Sequence, residues 1–220
     1  MSQPANPLAL SSSLIVFTRY PQVGQTKTRL IPALGATGAA QLQRQMTEYL
    51  IERLRPFCMA RSLHLAVHFA GGSQSEVRAW LGTDVALTPQ CSGSLGERLI
   101  HALTQTFREG KQRAIAIGSD CPAISGRELD QSLSLLNSCD VVLGPAADGG
   151  YYLIAIKAMH RCLFEGIPWG TERVLEVTEA IALRQNLSVS LLDVLSDIDR
   201  PEDLPLWDAQ LKTKPGTSRS

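Results

Sequence analysis

Short apolar runs alternate along the chain with longer amphipathic stretches, a pattern that predicts strands and helices in turn. Strands are expected at 14–18, 63–69, 85–88, 114–117, 141–143 and 189–192. A further β-rich stretch follows the glycine pair Gly149-Gly150 and runs to residue 156. Helices are expected at 37–55, from Ser73, at 94–109 and at 125–137. Another runs from Thr171, read as its cap, to about 185, and Pro201 suits the first turn of a last helix. The order predicts a single-domain, three-layer αβα sandwich around a mostly parallel twisted sheet covered on both faces. That domain is expected to span 13–208, with 1–12 and 209–220 as flexible ends.

Local signals agree with this reading. Ser73/Glu76, Ser94/Glu97 and Ser125/Glu128 each have capping-box spacing, in which hydroxyl and carboxylate satisfy two orphan helix N–H groups reciprocally. Leu95, Leu99, Leu103 and Phe107 recur every four residues and predict a core-facing stripe. Trp80 and Trp207 read as core or half-buried residues, and His64, His68, His101 and His160 show no ligand spacing.

Composition narrows the function classes. Apolar residues make up 44% and charged residues 19% of the 220, an ordinary globular balance, and the formal net charge is zero. Broad electrostatic binding to nucleic acid or to a membrane surface is not expected, so cations must act locally. No stretch approaches the ~20 apolar residues that a membrane-spanning helix needs. The five cysteines are scattered without C-x-x-C spacing, which favours free thiols over zinc or disulfides and predicts a cytoplasmic protein.

Four segments carry candidate chemistry. The first strand runs into Tyr20-Pro21-Gln22-Val23-Gly24-Gln25-Thr26-Lys27-Thr28-Arg29. There Gly24 lets the backbone approach a ligand, and Lys27 and Arg29 can neutralise a diphosphate or triphosphate. The loop has neither the G-x-x-x-x-G-K-[ST] pattern nor G-x-G-x-x-G, and the plain alternative is a surface β–α loop with solvated cations. Gly118-Ser119-Asp120-Cys121-Pro122 follows a buried strand. It sets Asp120 where open sheets bind ligands and where Mg²⁺ or Mn²⁺ takes one or two carboxylates plus phosphate oxygens; otherwise it is a turn aspartate before proline.

In Asp197-Ile198-Asp199-Arg200-Pro201-Glu202-Asp203, Asp199 is the candidate second carboxylate for the metal, while Glu202 and Asp203 suit a helix start. In Gly144-Pro145-Ala146-Ala147-Asp148-Gly149-Gly150-Tyr151, Asp148 can orient or deprotonate an acceptor hydroxyl, or simply form a hairpin turn. Trp169, between Pro168 and Gly170, reads as a site wall.

Taken in order, these segments resemble the uncharacterised glycosyltransferase-like family of the GT-A, or nucleotide-diphospho-sugar transferase, fold, related to the 2-phospho-L-lactate guanylyltransferases. The resemblance also includes Leu95-Gly96-Glu97-Arg98-Leu99 and Trp169-Gly170-Thr171-Glu172, and covers about residues 13 to 206. It implies a nucleotide held by Arg19, Gly24, Lys27, Arg29, Gly96, Ser119 and Asp120, with Asp120 and Asp199 on Mg²⁺ (or Mn²⁺). It implies a substrate side formed by Asp148, Gly149, Gly150, Tyr151, Trp169 and Thr171, and catalysis by Asp148, Lys27 and Arg29.

Where such glycosyltransferases carry Asp-x-Asp, this chain has Gly118-Ser119-Asp120. Gly-x-Asp-x-Pro with a late Asp-x-Asp is closer to nucleotidyltransferases. Three functions are therefore expected: a metal-dependent glycosyltransferase using a nucleotide sugar and a small-molecule acceptor, a guanylyltransferase-like enzyme acting on a small phosphorylated substrate, or a nucleotide-binding protein without catalysis.

Overall fold

The alternation along β1 (Ser12–Arg19) sorts its side chains onto two faces. Leu14 and Val16 join a cluster with Leu50, Ile51 and Leu54 of α1 (Ile31–Ala60). Ile15 joins a second cluster with Leu99 and Leu103 of α3 (Leu95–Arg108). Leu14, Ile15 and Val16 are wholly buried, each such side chain worth about 1.5–3 kcal/mol relative to exposure. This computed structural model describes residues 11–212. Most of the two segments expected to be flexible lies outside the described residues; at their inner edges, Ser12 opens β1 and α6 (Leu204–Lys212) ends on Lys212.

The remaining strands are β2 (His64–Ala70), β3 (Ala86–Pro89), β4 (Arg113–Gly118), β5 (Val141–Pro145), β6 (Tyr151–Ile156) and β7 (Val189–Leu191). They form one seven-stranded sheet in the order β3-β2-β1-β4-β6-β5-β7. Every pairing is parallel except those of β6, which runs antiparallel between β4 and β5. Residues of α1 and α4 (Gly126–Leu135) cover one face, and residues of α3 and α5 (Val174–Arg184) the other. The sheet is thus mostly parallel and sandwiched, as the alternation predicts. α2 (Gln74–Leu81) completes the helices, and all three capping boxes form.

The structure corrects three details. α1 begins at Ile31 and ends at Ala60, outside the expected 37–55, with a kink at Gly35 where φ is 69°. It continues past Pro56 because Phe57 and Cys58 pack into the core beyond it, offsetting the lost donor. Leu95 does not extend the buried stripe: Leu99 and Leu103 are buried, whereas Leu95, in the first turn at the edge of the sheet, is 43% exposed. Thr171 is not the cap of α5, whose N-cap is Arg173. Its hydroxyl instead donates to Pro168 O (2.8 Å) and accepts from Arg173 N–H (3.3 Å), closing a turn ahead of the helix.

None of the five cysteines is paired, and no helix among the described residues is long and apolar enough to cross a membrane. A third, smaller cluster decides where the chemistry goes. Leu30, Leu42, Met46, Tyr49, Ile198 and Trp207 pack together, tying the end of the first loop to α1, α6 and the segment around Ile198.

Candidate active site

The loop after β1 is held from within. Thr26, 2% exposed, donates from Oγ1 to Tyr20 O (3.0 Å) and accepts from Gln22 N–H (3.2 Å). Gly24 takes a positive φ of 77° to make the turn. Lys27 is itself left-handed, with φ 51°, a conformation that costs a residue with a side chain about 1–2 kcal/mol. That backbone turns the ammonium inward, where its side chain is 3% exposed. Lys27 Nζ lies 3.0 Å from Asp120 Oδ1 and 3.7 Å from Asp199 Oδ1, and it donates to Ile198 O. A buried cation is tolerated only with such partners. Leu30 is wholly buried, so Arg29 just before it stays at the surface, 63% exposed, and pairs with Asp199 Oδ2 at 2.5 Å.

The two carboxylates arrive from distant segments. β4 ends at Gly118, and the turn that follows is anchored by Ser119. Ser119 Oγ donates to Thr18 Oγ1 (3.0 Å) and accepts from Gln43 Nε2 (3.0 Å), in a buried network that includes Thr47. Asp120 follows directly and is half-exposed, its side chain at 48%. Ile198, 1% exposed, points into the third cluster, and its N–H donates to Asp120 O at 2.9 Å. Its neighbours Asp197 and Asp199 lie on the opposite side of the extended backbone, at the cleft.

Asp197 is the most perturbed acid. Its carboxyl is pushed up to about 7, chiefly by burial, then by the negative charges of Asp120 and Asp148. Lys27 offsets part of this, and Asp199 adds to it. Burial and the neighbouring carboxylates together thus oppose ionisation of Asp197.

Three cavities adjoin at this edge of the sheet. One of about 640 Å³ is bordered by the cations Arg19, Lys27, Arg29 and Arg98, with Ser119 and Asp120 on its floor. A chamber of about 190 Å³ is walled by Phe17, Leu95, Tyr151 and Trp169, with Asp148 and Asp197 among its residues. A third of about 680 Å³ runs past Asp148, Thr171, Asp197 and Asp199. Phe17, Leu95 and Gly118 border both of the first two, and Asp148, Gly170, Thr171 and Asp197 border the second and third.

The expected site residues divide accordingly. Arg19, Lys27, Arg29, Ser119, Asp120 and Asp199 share the first cavity, while Asp148, Gly150, Tyr151, Trp169 and Thr171 share the chamber. Asp148 Oδ1 accepts from Gly150 N–H (2.9 Å), so the Asp-Gly turn is a genuine hairpin turn that also fronts the chamber. Three glycines border none of these cavities. Gly24 serves the turn. A Cβ on Gly96 would meet Phe164 O at 2.2 Å, so this glycine lets α3 pack on the 164–170 loop. A Cβ on Gly149 would meet Glu172 O at 2.1 Å, so this one lets the hairpin press on the segment before α5.

Asp197, Arg98 and Gln43 were missed as site residues, although each borders a cavity. The signal for Asp197 was its spacing of two from Asp199, which in an extended segment puts both carboxylates on one face.

Among the described residues no group of three His, Cys, Asp or Glu is placed to hold a metal by itself. Asp120 and Asp199, both bound to Lys27, are hard oxygen donors 79 positions apart in sequence (199 − 120). That donor set fits a cation such as Mg²⁺, which keeps most of its shell for water and phosphate, rather than one needing a full protein cage.

A family model described as "Uncharacterized protein conserved in bacteria (DUF2064)" matches residues 54–171. A comparison with curated proteins gives no match. Among solved structures, a "putative nucleotide-diphospho-sugar transferase" from Desulfovibrio desulfuricans G20 is 31% identical over 93% of this chain and 89% of its own, with a TM-score of 0.84. The 4-diphosphocytidyl-2C-methyl-D-erythritolsynthase of Anaerococcus prevotii DSM 20548 is 10% identical over 93% of this chain and 97% of its own, with a TM-score of 0.63. The glucosyl-3-phosphoglycerate synthase of Mycobacterium tuberculosis, in complex with Mg²⁺ and UDP, is 12% identical over 89% of this chain and 74% of its own, with a TM-score of 0.58. The sheet and its covering helices have the nucleotide-diphospho-sugar transferase fold that the motifs imply.

Proposed function

The chain belongs to the DUF2064 family, and we propose that it is a metal-dependent transferase that draws on an activated nucleotide, with a nucleotide-diphospho-sugar as donor. One observation carries this reading: Lys27 and Arg29 of the first loop meet Asp120 and Asp199, from two other segments, at a single point in the cleft. Buried positive charge beside half-exposed carboxylates is suited to a phosphate and a divalent cation together. The resemblance to the Desulfovibrio structure and the UDP and Mg²⁺ held by the mycobacterial relative of this fold support the same reading.

In this proposal Lys27, Arg29, Arg19 and Arg98 take the donor's diphosphate in the larger cavity. Asp120 and Asp199 would hold the metal, which when bound supplies charge neutralisation for the leaving diphosphate. An acceptor hydroxyl at the chamber attacks the anomeric carbon of the donor sugar. Its proton passes to Asp148, whose second oxygen has no protein partner among the described residues, and the carbon–oxygen bond to the nucleoside diphosphate breaks. The rigid buried network of Thr18, Gln43, Thr47 and Ser119 fixes the floor on which these groups stand.

A second reading is nucleotidyl transfer, favoured by the two metal-facing carboxylates lying on separate segments, Gly118-Ser119-Asp120 and Asp197-Ile198-Asp199, instead of in one Asp-x-Asp. There a substrate phosphate oxygen attacks the α-phosphorus of a nucleoside triphosphate and pyrophosphate leaves. One assay separates the two. The protein is incubated with Mg²⁺ and panels of nucleotide sugars and nucleoside triphosphates, with small hydroxylated and phosphorylated acceptors. Nucleoside diphosphate released from a sugar donor supports the first reading, and pyrophosphate supports the second. Binding without either product across the panels would favour a non-catalytic nucleotide-binding protein.

A further inference from the structure

The chamber of about 190 Å³ differs chemically from the cavity beside it. Among the described residues no Lys, Arg or His borders it, and its charged residues are Asp148 and Asp197. Its walls are apolar and aromatic, with Tyr151 and Trp169 edge to face at 6.0 Å between ring centroids and 76° between planes. Beyond its mouth the next cavity adds Glu172, Asp199 and Asp203, and of the two arginines there, Arg29 is already bound to Asp199. All four cations that border the larger cavity stand outside the chamber.

We propose that this chamber is the subsite for an uncharged, hydroxyl-bearing ring of monosaccharide size, and that its carboxylates exclude rings carrying negative charge. The proposal rests on the transferase reading above. The volume exceeds the ~150 Å³ of an apolar cavity known to take up benzene, so one six-membered ring fits. The C–H faces of such a ring lie against Phe17, Tyr151 and Trp169, while its hydroxyls donate to Asp148 and Asp197. A carboxylate or phosphate on the ring body would add a further negative charge beside two acids, in a chamber that no cation of the described residues borders. At such separations that weakens binding by roughly tenfold or more. The ring is either the donor's own sugar or that of a separate acceptor.

The test uses the full chain with Mg²⁺ and saturation-transfer NMR. The probes are the methyl glycosides of glucose, galactose and mannose, each paired with its methyl uronate, which swaps one hydroxymethyl for a carboxylate. At least one neutral glycoside is expected to bind, its uronate roughly tenfold or more weaker, with Asp148→Asn and Asp197→Asn combined recovering most of the difference. Binding is expected to vanish in Trp169→Ala and also in Leu95→Trp. The latter fills the mouth from a position that is 43% exposed, so it remains informative should the first variant fold poorly.

Displacement of the glycoside by a nucleotide sugar but not by UDP assigns the ring to the donor, and persistence against both assigns it to the acceptor. Uronates that bind as well as their neutral partners would overturn the proposal, as would neutral glycosides that do not bind or that ignore both variants. UDP binding measured in the same samples keeps the two ideas apart. Its loss strikes the transferase reading, while failure at the chamber with UDP binding intact strikes only the subsite.

Discussion

The two walls of the cleft are built by different means. On the side of the first loop, the acids are paired within the protein: buried Lys27 has Asp120, Asp199 and Ile198 O, Arg29 has Asp199, and Arg19 and Arg98 border the same cavity. On the hairpin side, charge is left over. Asp148 and Asp197 border a chamber with no cation, and the Asp197 carboxyl rises to about 7 because burial and like charges oppose its ionisation. On the proposed reading, the loop side is the one that takes phosphate and metal. On the proposed subsite reading, the hairpin side selects by shape and its acids accept from hydroxyls of the ring.

Removing Lys27 breaks this contrast most severely. Lys27→Met leaves Asp120 and Asp199 facing one another without their shared cation, and nucleoside diphosphate affinity is expected to fall about 10²–10³-fold by calorimetry. The parent nucleoside should lose much less, since it carries no phosphate to neutralise. On the opposite wall, Gly96→Ala forces a Cβ to 2.2 Å from Phe164 O, so α3 and the 164–170 loop must separate. A loss of about 2–4 kcal/mol in denaturant unfolding is expected, because the contact is with backbone that cannot swing aside.

Asp197 sharpens the comparison through pH. Its folded carboxyl near 7 sits above the unfolded value of about 3.9, so the folded protein holds the extra proton between them. The contribution to stability is complete below pH ~4 and is lost as pH rises through ~7. In metal-free buffer, Asp197→Asn is expected to melt roughly 8–16 °C higher than the parent at pH 8 and nearly level with it at pH 4. Equal melting points at pH 8 would show that neither burial nor the neighbouring acids oppose ionisation of Asp197. Arg29→Ala should be mildest. Its side chain is 63% exposed, so a severalfold loss of diphosphate affinity and a stability change within about 0.5 kcal/mol are expected.

Much of the scaffold was legible because its signals are local. The strands announce themselves as short apolar runs, and Ser73, Ser94 and Ser125 mark helix starts through side chains three residues apart. Errors arose where tertiary contacts outweigh a local signal. The expected helix ends at residue 55, yet α1 passes Pro56 to bury Cys58. Leu95 reads as core by spacing, yet the core ends before it.

Within the site, the residue types on the strand-end loops identified Lys27, Asp120 and Asp199 as candidates. Their meeting depends on Leu30 and Ile198 sharing an apolar cluster across the chain, which no local pattern reveals. Gly96 and Gly149 are expected on the nucleotide and substrate sides, but the close neighbours that call for glycine are backbone atoms far along the sequence, Phe164 O and Glu172 O.

The central claim is that the first loop and two distant acidic segments act on one metal–phosphate cluster. Its most direct test is calorimetric titration of nucleoside diphosphates, with and without Mg²⁺, into the parent, Asp120→Ala, Asp199→Ala and the double variant. Each single variant is expected to lose the Mg²⁺-dependent part of the affinity, and the double variant little more, because both carboxylates serve the same ion. Undiminished Mg²⁺-dependent binding in Asp120→Ala, with the fold intact, would contradict it.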